Sequence, residues 1–253
     1  MRFVLDTHCH TIASGHAYST LSELVQAASK KGLELIAITE HGPSMPGGPH
    51  YFYFGNLRVV PPMIDGVKVL KGIEANIIDY EGSLDLPGKY LKELDIVLAG
   101  LHEICLAPSS KEENTNAVIG AMNNPYVDII VHPGNPQYPL DYDQIVEEAA
   151  KTKTLIEINN SSFVSSRRGS YENCLYVARK CLELGVPMSL GSDTHYADDV
   201  GDFSKAERIV REVGLTEELI INTDTMKLLN YLRQKGKRPL RDVRTDGEGM
   251  NCL

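Results

Sequence analysis

The sequence lacks the features of several large protein classes. No apolar run approaches the roughly 18 residues that a membrane helix needs, and the first residues turn acidic too early for a signal peptide. The five cysteines include no C-x-x-C pair, so neither a disulfide framework nor a thiolate zinc site is indicated. These absences predict a cytoplasmic protein with reduced cysteines and no membrane partner.

Basic residues are also scarce relative to acidic ones. The chain has 25 Lys and Arg against 34 Asp and Glu, giving a formal net charge of −9, and it contains no basic block. Extended contacts with nucleic acid need clustered Lys and Arg, so no extended nucleic-acid partner is expected. With 42% hydrophobic and 23% charged residues, the rest of the composition is that of a globular protein.

What the sequence does contain is a regular alternation of short β-branched runs and longer amphipathic stretches. Strands are predicted at residues 2–6, 35–39, 67–73, 94–99, 127–131, 155–158 and 187–190. Helices are predicted at residues 21–31, 114–123, 142–152, 172–184 and 203–213. Apolar strands that alternate with helices indicate an α/β fold with a parallel sheet buried on both faces.

Seven such strands fit either a closed barrel or an open doubly wound sheet. The turn after the first strand reads Thr7-His-Cys-His10 rather than the Gly-rich turn of a dinucleotide-binding fold. Residues 1–236 are predicted to form one domain, with a functional Gly-, Pro- and aromatic-rich loop at 42–67 and a small hairpin at 76–86. The polar residues 237–253 are predicted to be a flexible tail.

Residue types able to bind a metal or a substrate stand at the carboxyl end of every predicted strand. The candidate metal ligands among them are His8, His10, His16, His41, Glu74, His102, His132, Asp193 and His195. Any one of them could be an ordinary surface, loop or hydrogen-bonded residue. In α/β barrels, however, the carboxyl ends of the strands converge on one active-site mouth. The joint pattern therefore predicts a metal site made from seven of the eight histidines, with only His50 left over.

The donor types narrow the choice of metal. Imidazole with carboxylate and no thiolate suits Zn, Mn or Fe and argues against Ca and Mg. Because a catalytic zinc takes about three protein ligands, nine side chains are enough for about three ions. The number of candidate ligands alone does not decide between two ions and three.

These motifs together resemble the PHP (polymerase and histidinol phosphatase) family. The resemblance spans about residues 3–235, and its nearest branch is that of the small stand-alone YcdX-type phosphatases. The motifs are Asp6-Thr-His-Cys-His10, His16-Ala-Tyr-Ser, Thr39-Glu-His-Gly, Gly72-Ile-Glu74, Leu101-His-Glu, His132-Pro-Gly-Asn-Pro, Glu157-Ile-Asn-Asn-Ser-Ser-Phe and Gly191-Ser-Asp-Thr-His195. The family implies a distorted, TIM-like (β/α)7 barrel with a trinuclear metal centre at its carboxyl-end mouth.

The same resemblance implies how the ligands divide among three metals. The first metal would be held by His8, His10, Glu74 and Asp193, the second by His16, His41 and His195, and the third by Glu74, His102 and His132. Glu74 would thus bridge the first and third metals. The second-strand motif has Glu40 where many relatives have Asp, and this residue lies outside the ligand set.

The implied activity is hydrolysis of small phosphomonoesters by a metal-bound hydroxide, with about three Zn²⁺ and with Mn²⁺ or Fe²⁺ as alternatives. The predicted catalytic residues are Glu74, Asp193 and His195. The predicted substrate contacts are Arg58, Asn135, Arg167 and Arg168. The expected partner is a small phosphorylated metabolite, and the sequence is compatible with a homo-oligomer.

Two other functions stay open from the sequence. One is a metal-dependent amidase or lactonase, whose barrels also begin with His-x-His but commonly carry a bridging lysine at the fourth strand. Here that strand runs into Ala99-Gly-Leu-His102, without a lysine. The other is a non-catalytic metal-binding module. A module that had lost catalysis would be expected to lack some of the metal ligands.

Overall fold

The computed structural model describes residues 1–163 and 167–241, in which short strands alternate with helices. The strands are β1 (Leu5–Cys9), β2 (Leu35–Ile38), β3 (Met63–Ile64), β4 (Val67–Asn76), β5 (Ile96–Gly100), β6 (Ile129–Ile130), β7 (Leu155–Asn159) and β8 (Met188–Gly191). The helices are α1 (Leu21–Lys30), α2 (Tyr51–Asn56), α3 (Gly88–Leu91), α4 (Lys111–Met122), α5 (Tyr142–Thr152), α6 (Ser170–Leu184), α7 (Ala206–Val213) and α8 (Thr225–Gln234). In this part of the chain no helix is both long enough and apolar enough to cross a membrane.

Seven of the strands form one parallel sheet that curls into a nearly closed barrel. Its order is β1-β2-β4-β5-β6-β7-β8, and the short β3 pairs antiparallel with β4. The seven predicted strands all belong to this sheet, so the predicted distorted, TIM-like (β/α)7 barrel is confirmed. The ends of some strands differ from the predicted ends by a few residues: β1 starts at Leu5, and β6 contains only two residues.

The seam between β8 and β1 is closed by a side chain rather than by a full ladder. The Asn222 amide accepts from Leu190 N at 2.7 Å and donates to the carbonyls of Leu5 and Leu190 at 2.9 and 2.8 Å. Asn222 is completely buried. Its amide therefore supplies hydrogen bonds that the two strands do not make with each other.

The barrel interior changes from apolar at the base to polar at the mouth. Alternate residues of a strand share a face, and on β4 this inward series is Leu70, Gly72 and Glu74. The lower layer contains Leu5, Leu35, Leu70, Ile96, Leu98, Ile129 and Leu155, and it packs against Leu228, Leu229 and Leu232 of α8. Helix α8, which the sequence analysis did not predict, therefore closes the base of the barrel.

The five predicted helices are all present and form the outer layer. Helix α1 begins with a capping box, in which Thr20 and Glu23 bond reciprocally to each other's backbone N–H, and it buries Leu24, Val25 and Ala28. In α6, Cys174, Val177, Ala178 and Cys181 face the core. This one-sided burial is what the 3.6-residue period predicts.

The predicted loop at 42–67 contains structure of its own. It includes α2, a 3-10 turn at Leu57–Val59 and β3, and its residues Phe54 and Leu57 enter the main core. The predicted hairpin at 76–86 is a short turn, held by one antiparallel bridge between Ile77 and Leu84. Part of the aromatic content of the loop therefore serves packing.

The beginning of the predicted flexible tail is packed on the base of the barrel, which corrects the tail boundary. Lys237 is buried, with its Nζ 2.7 Å from Asp128 Oδ2. Leu240 N donates to Asp95 Oδ1 at 3.2 Å. The polar composition hid these contacts because a charged side chain can be buried when it is paired. Residues 242–253 of the predicted tail lie outside the described residues.

Candidate metal centre

Backbone pairing just beyond the strand ends brings the predicted ligands together. His41 pairs in parallel with Glu74 beyond the end of β2, and Cys9 pairs with Thr194 across the barrel seam. The second pairing places His8 and His10 beside Asp193, because Asp193 N donates to the His8 carbonyl at 3.0 Å. Cys9 itself is fully buried in the outer core rather than in the metal cluster.

The carboxylate of Glu74 is completely buried at the centre of the cluster, and its two oxygens face different histidines. Its Oε1 lies 2.8 Å from His132 Nε2 and 3.1 Å from His102 Nε2. Its Oε2 lies 2.7 Å from His41 Nδ1. One carboxylate thus contacts groups that come from three other strands.

Two further histidines approach the same Oε2 from β1. The Nε2 atoms of His10 and His8 lie 3.3 and 3.4 Å from it, and they lie 3.1 Å from each other. Asp193 Oδ1 is 3.3 Å from His10 Nε2 and 3.6 Å from His8 Nε2. These four side chains form a compact group of nitrogen and oxygen donors below 7% exposure.

The remaining predicted ligands lie at the outer side of this group. The His16 ring stacks on the rings of His41 and His195, with centroids 5.0 and 4.9 Å apart. The His195 ring also lies 4.5 Å from that of His10. His16 is exposed and His195 is partly exposed, so this side of the cluster opens to solvent.

All nine predicted ligand residues therefore lie in one connected cluster. Three overlapping triads offer ligand atoms within 4.8 Å of one another: His8, His10 and Asp193; His10, His41 and His195; and His41, Glu74 and His102. The leftover histidine is separate. His50 is exposed, and its Nδ1 accepts from Phe52 N at the start of α2.

Several buried residues that the sequence analysis did not select orient these histidines. Glu157 Oε1 accepts from His8 Nδ1 at 2.8 Å, and Asn76 Oδ1 accepts from His102 Nδ1 at 2.7 Å. With Nδ1 donating in this way, each ring turns its Nε2 toward the cluster, as metal-binding histidines do. The sequence feature that could have identified Glu157 is its position as a carboxylate between Ile156 and Ile158 of a buried strand.

A second support runs from His10 to Glu40. His10 Nδ1 lies 3.0 Å from Ser14 Oγ, and Ser14 Oγ donates to Glu40 Oε2 at 2.6 Å. Glu40 also accepts from the Thr11 backbone at 3.0 Å and lies 3.4 Å from the Tyr53 hydroxyl. The non-ligand residue of the second-strand motif therefore holds a ligand indirectly.

Two glycines leave space that the buried cluster needs. A Cβ at Gly191 would lie 1.9 Å from Glu157 Oε1, and one at Gly100 would lie 2.8 Å from the His132 ring. His132 and Asp193 themselves have φ of +38° and +55°, a backbone region that non-glycine residues seldom adopt. Such conformations cluster at functional sites.

The buried carboxylates are strongly acidic. Burial alone would raise the pKa of Glu74, but the surrounding His41, His8 and His102 hold it well below the ordinary value. Burial likewise opposes ionisation of Asp193, and His8, His10 and Arg167 lower its pKa well below the usual range. Both groups are therefore carboxylates at neutral pH.

The histidines divide into two electrostatic groups. Burial would lower the pKa of His10, but Asp193 and Glu74 raise it to about 9. Burial lowers the pKa of His41 and His132 to about 3 and that of His195 to about 4. These three rings are neutral at pH 7, the form in which imidazole binds metals.

This donor set fits divalent transition metals. The Nε2 atoms of His8 and His10 face each other at 3.1 Å, although each ring can donate through its Nδ1 to a buried acceptor. Two inward-facing lone pairs repel each other unless a cation or proton lies between them. Neutral imidazole with carboxylate and no thiolate is a typical site for Zn, Mn or Fe.

One of the four predicted substrate contacts reaches the cluster. Arg167 Nη1 lies 3.0 Å from Asp193 Oδ2 and 3.5 Å from both Asn159 Oδ1 and Ser162 Oγ. Its side chain is only 13% exposed. A guanidinium in this position is a fixed positive group at the edge of the candidate metal site.

The other three predicted contacts are placed differently. Asn135 is buried close to His132 and bonds with Gln137. Arg168 is exposed and lines a cavity beside the mouth. Arg58 is exposed on the 3-10 turn at Leu57–Val59, and among the described residues it makes no hydrogen bond or ion pair with the cluster.

Comparison with known proteins gives consistent matches along the chain. Residues 6–212 match the PHP domain family. A Thermoanaerobacter sp. (strain X514) protein named "Probable phosphatase" is 55% identical over 239 residues, covering 94% of this chain and 98% of that protein. A Caldanaerobacter subterraneus subsp. tengcongensis protein of the same name is 56% identical over 239 residues, covering 94% of each chain.

A solved structure supports the fold independently of sequence. It is histidinol phosphate phosphatase from Lactococcus lactis subsp. lactis, in complex with zinc, L-histidinol and phosphate. The match has a TM-score of 0.57 at 19% identity and covers 84% of this chain and 94% of that one. At this identity the likeness concerns the barrel itself.

Proposed function

The chain belongs to the PHP domain family, and we propose that it is a metal-dependent phosphatase that hydrolyses small phosphomonoesters. The observation that carries this proposal is the two-sided contact of Glu74, whose oxygens face separate groups of histidines at 2.7–3.4 Å. Relatives above 50% identity are named as phosphatases. The zinc and phosphate of the Lactococcus enzyme support the same chemistry.

The proposed centre holds about three ions, with Zn²⁺ as the first candidate and Mn²⁺ or Fe²⁺ as alternatives. His8, His10, Glu74 and Asp193 would bind the first ion, His16, His41 and His195 the second, and Glu74, His102 and His132 the third. The opposite orientation of the two Glu74 oxygens supports a bridging role for this carboxylate. The stacking of His16 on His41 and His195 supports their assignment to one ion.

Bound metals would supply activation of water and neutralisation of phosphoryl charge. The chain's own residues would then orient the substrate. Arg167, now 3.0 Å from Asp193, can donate in a fork to phosphate oxygens at the same edge of the cluster. Glu74, Asp193 and His195 are the proposed catalytic residues, and Asn135 is a second proposed substrate contact. The expected substrate is a small phosphorylated metabolite.

The amidase or lactonase alternative loses support in this geometry. No lysine lies among the cluster residues that the structure describes, and Glu74 would take the bridging place. Lys71, on the same strand as Glu74, donates instead to the Arg241 carbonyl near the base of the barrel. All nine predicted ligand residues are present in the cluster, which also argues against a module that has lost catalysis.

Two measurements on the purified protein test the proposal. Elemental analysis without chelator should find about three transition-metal equivalents, and His132→Gln should reduce that number whereas the control His50→Gln should not. Hydrolysis of p-nitrophenyl phosphate should require the metal and stop with a chelator. One metal or none would refute the trinuclear centre, and turnover of lactones or amides without phosphoesters would refute the phosphatase.

A further inference from the structure

A cavity of about 290 Å³ is linked to the metal cluster through Asn159, which accepts from the lining residue Ser162 and donates to Asp193. Its lining includes three cationic residues, Arg168, Lys205 and Arg208, together with the rings of Phe163 and Tyr171. This volume is at the small end of the roughly 300–1,000 Å³ typical of ligand sites. The cavity, called the basic pocket below, is therefore suited to one small anionic group.

No ion pair within the described residues neutralises the cationic side chains of the basic pocket. Within residues 1–163 and 167–241, none of the three cationic side chains forms an ion pair with Asp or Glu. Glu207 binds Arg211 at 2.8 Å, and Glu212 accepts from the Tyr171 hydroxyl at 2.7 Å. The Arg208 guanidinium lies 5.9 Å from the Tyr171 ring centre, which holds it over that wall of the pocket.

The pocket is tied to the metal cluster by two consecutive residues at the end of β7. Asn159 Nδ2 donates to Asp193 Oδ2 at 3.2 Å, and Asn159 Oδ1 accepts from Ser162, which lines the pocket, at 2.9 Å. The next side chain, Asn160 Oδ1, accepts from Lys205 N at 2.9 Å. The walls of the pocket are thus positioned by the same strand that supports the cluster.

Arg167 and Arg168 are adjacent in the chain, but one faces the metal cluster and the other faces the basic pocket. Arg167 contacts Asp193 in the cluster, whereas the adjacent Arg168 lines the basic pocket. Ser162 Oγ lies 3.5 Å from Arg167 Nη1, so one hydrogen-bonding group separates the pocket wall from the metal-facing guanidinium. The pocket wall and the guanidinium that contacts the cluster are therefore direct neighbours.

We propose that the basic pocket binds a second anionic group of the substrate, so that the enzyme prefers phosphomonoesters carrying another phosphate or carboxylate. This inference rests on the proposed phosphatase function, since it assigns the first phosphoryl group to the metal cluster. Charge-assisted hydrogen bonds from Arg168, Lys205 and Arg208 would select the second group.

Matched substrates test the proposal on the metal-loaded protein. The kcat/KM of glucose 1,6-bisphosphate is compared with that of glucose 6-phosphate, and that of 3-phosphoglycerate with that of glycerol 3-phosphate. In the wild type at least one of these ratios should be about tenfold or more, which corresponds to about 1.4 kcal/mol. In the double variant Lys205→Met, Arg208→Met that ratio should fall to about one. Arg211→Gln, on the same helix but outside the pocket, should keep the wild-type ratio.

The outcomes separate the two proposals. A preference in the first pair alone assigns a phosphate to the pocket, and a preference in the second pair alone assigns a carboxylate. Ratios near one in the wild type, or a ratio that survives the double variant, would overturn the basic pocket while leaving the phosphatase intact. If no phosphoester is hydrolysed, the proposed function fails. Calorimetric binding of inorganic sulfate then tests the pocket alone: weaker binding in the double variant would support it, and unchanged binding would overturn it.

Discussion

The two ends of the barrel bury carboxylates with opposite results. At the mouth, Glu74 and Asp193 have pKa values well below the ordinary range, because imidazoles and Arg167 outweigh the cost of burial. At the base, burial is the dominant cause, raising the pKa of Asp95 to about 6 and that of Asp128 above its usual value. Buried carboxyl groups are thus kept ionised at the mouth of the barrel and are harder to ionise at its base.

The partners explain the difference. At the base each carboxylate has fixed protein partners: Lys237 Nζ and Val97 N contact Asp128, and Lys71 N donates to Asp95. At the mouth the side chains converge on one another: seven histidines surround Glu74 and Asp193, with Glu157 bonded to His8 and Arg167 bonded to Asp193. Perturbed groups that converge in this way are typical of functional sites. The base is organised for stability, and the mouth is organised to bind charge from outside.

The largest expected effect is at the mouth. Glu74→Gln should lower kcat/KM for phosphomonoesters by more than about a thousandfold, because a neutral amide cannot bridge two ions. Elemental analysis should show loss of about two metal equivalents. The matched control is Glu103→Gln, an exposed glutamate that contacts Gln137 on the same face. Full metal content in the Glu74→Gln variant would contradict the bridging role.

The corresponding change at the base should act on stability instead. Asp128→Asn leaves the buried Lys237 ammonium without its partner and should lower the free energy of unfolding by about 3 kcal/mol. Urea denaturation followed by circular dichroism measures this loss. Adding Lys237→Met should restore much of the stability, and kcat should stay near wild type. A loss of kcat without a loss of stability would break the distinction between the two ends.

A smaller effect is expected from the support of the cluster. Glu157→Gln removes the charge that faces His8 Nδ1 and should weaken metal affinity by about 10–100-fold. Competition with a fluorescent chelator measures the affinity, and excess metal should restore activity. Affinity equal to wild type would show that the hydrogen bond matters only for packing.

The smallest effect concerns pH. The folded-state pKa of Asp95 is raised from 3.8 to about 6, so folding favours the protonated form. Its contribution to stability is therefore fully present below about pH 3.8 and is lost as the pH rises through 6. Relative to Asp95→Asn, the metal-free wild type should lose about 1.5 kcal/mol between pH 4.5 and pH 6. Urea titrations at the two pH values test this, and parallel curves would refute the shift.

Much of the site could be predicted from the sequence because barrel topology converts a local position into a spatial one. His8, Glu74 and His132 are far apart along the chain, yet each lies at or just beyond the carboxyl end of a parallel strand, and those strand ends share one mouth. The supporting residues were harder to find. Ser14 and Asn76 are ordinary polar residues in sequence, and their role appears only through 2.7–3.0 Å contacts with ligand histidines.

Some elements of the fold escaped prediction for similar reasons. Helix α8 has Asp224 as its N-cap and carries Leu228, Leu229 and Leu232, but only the barrel base gives these leucines a partner. The packing of the first tail residues was not predicted because a lysine in a polar segment is normally solvated, and only the folded structure brings Asp128 next to Lys237. In both cases the decisive contact is with a residue far away in the chain.

The sequence by itself determined the alternation of strands and helices and the nine candidate donor residues at the predicted strand ends, while the resemblance of its motifs to a known family implied the barrel. The alternation depends on hydrophobic periodicity, and the candidate donors depend on their position after each apolar run; both are local properties of the chain. Tertiary structure alone decided which oxygen of Glu74 faces which histidine, how Arg167 and Arg168 divide between cluster and pocket, and why the two ends of the barrel titrate oppositely. Those properties depend on distances of a few ångströms and on removal of water, which no linear pattern records.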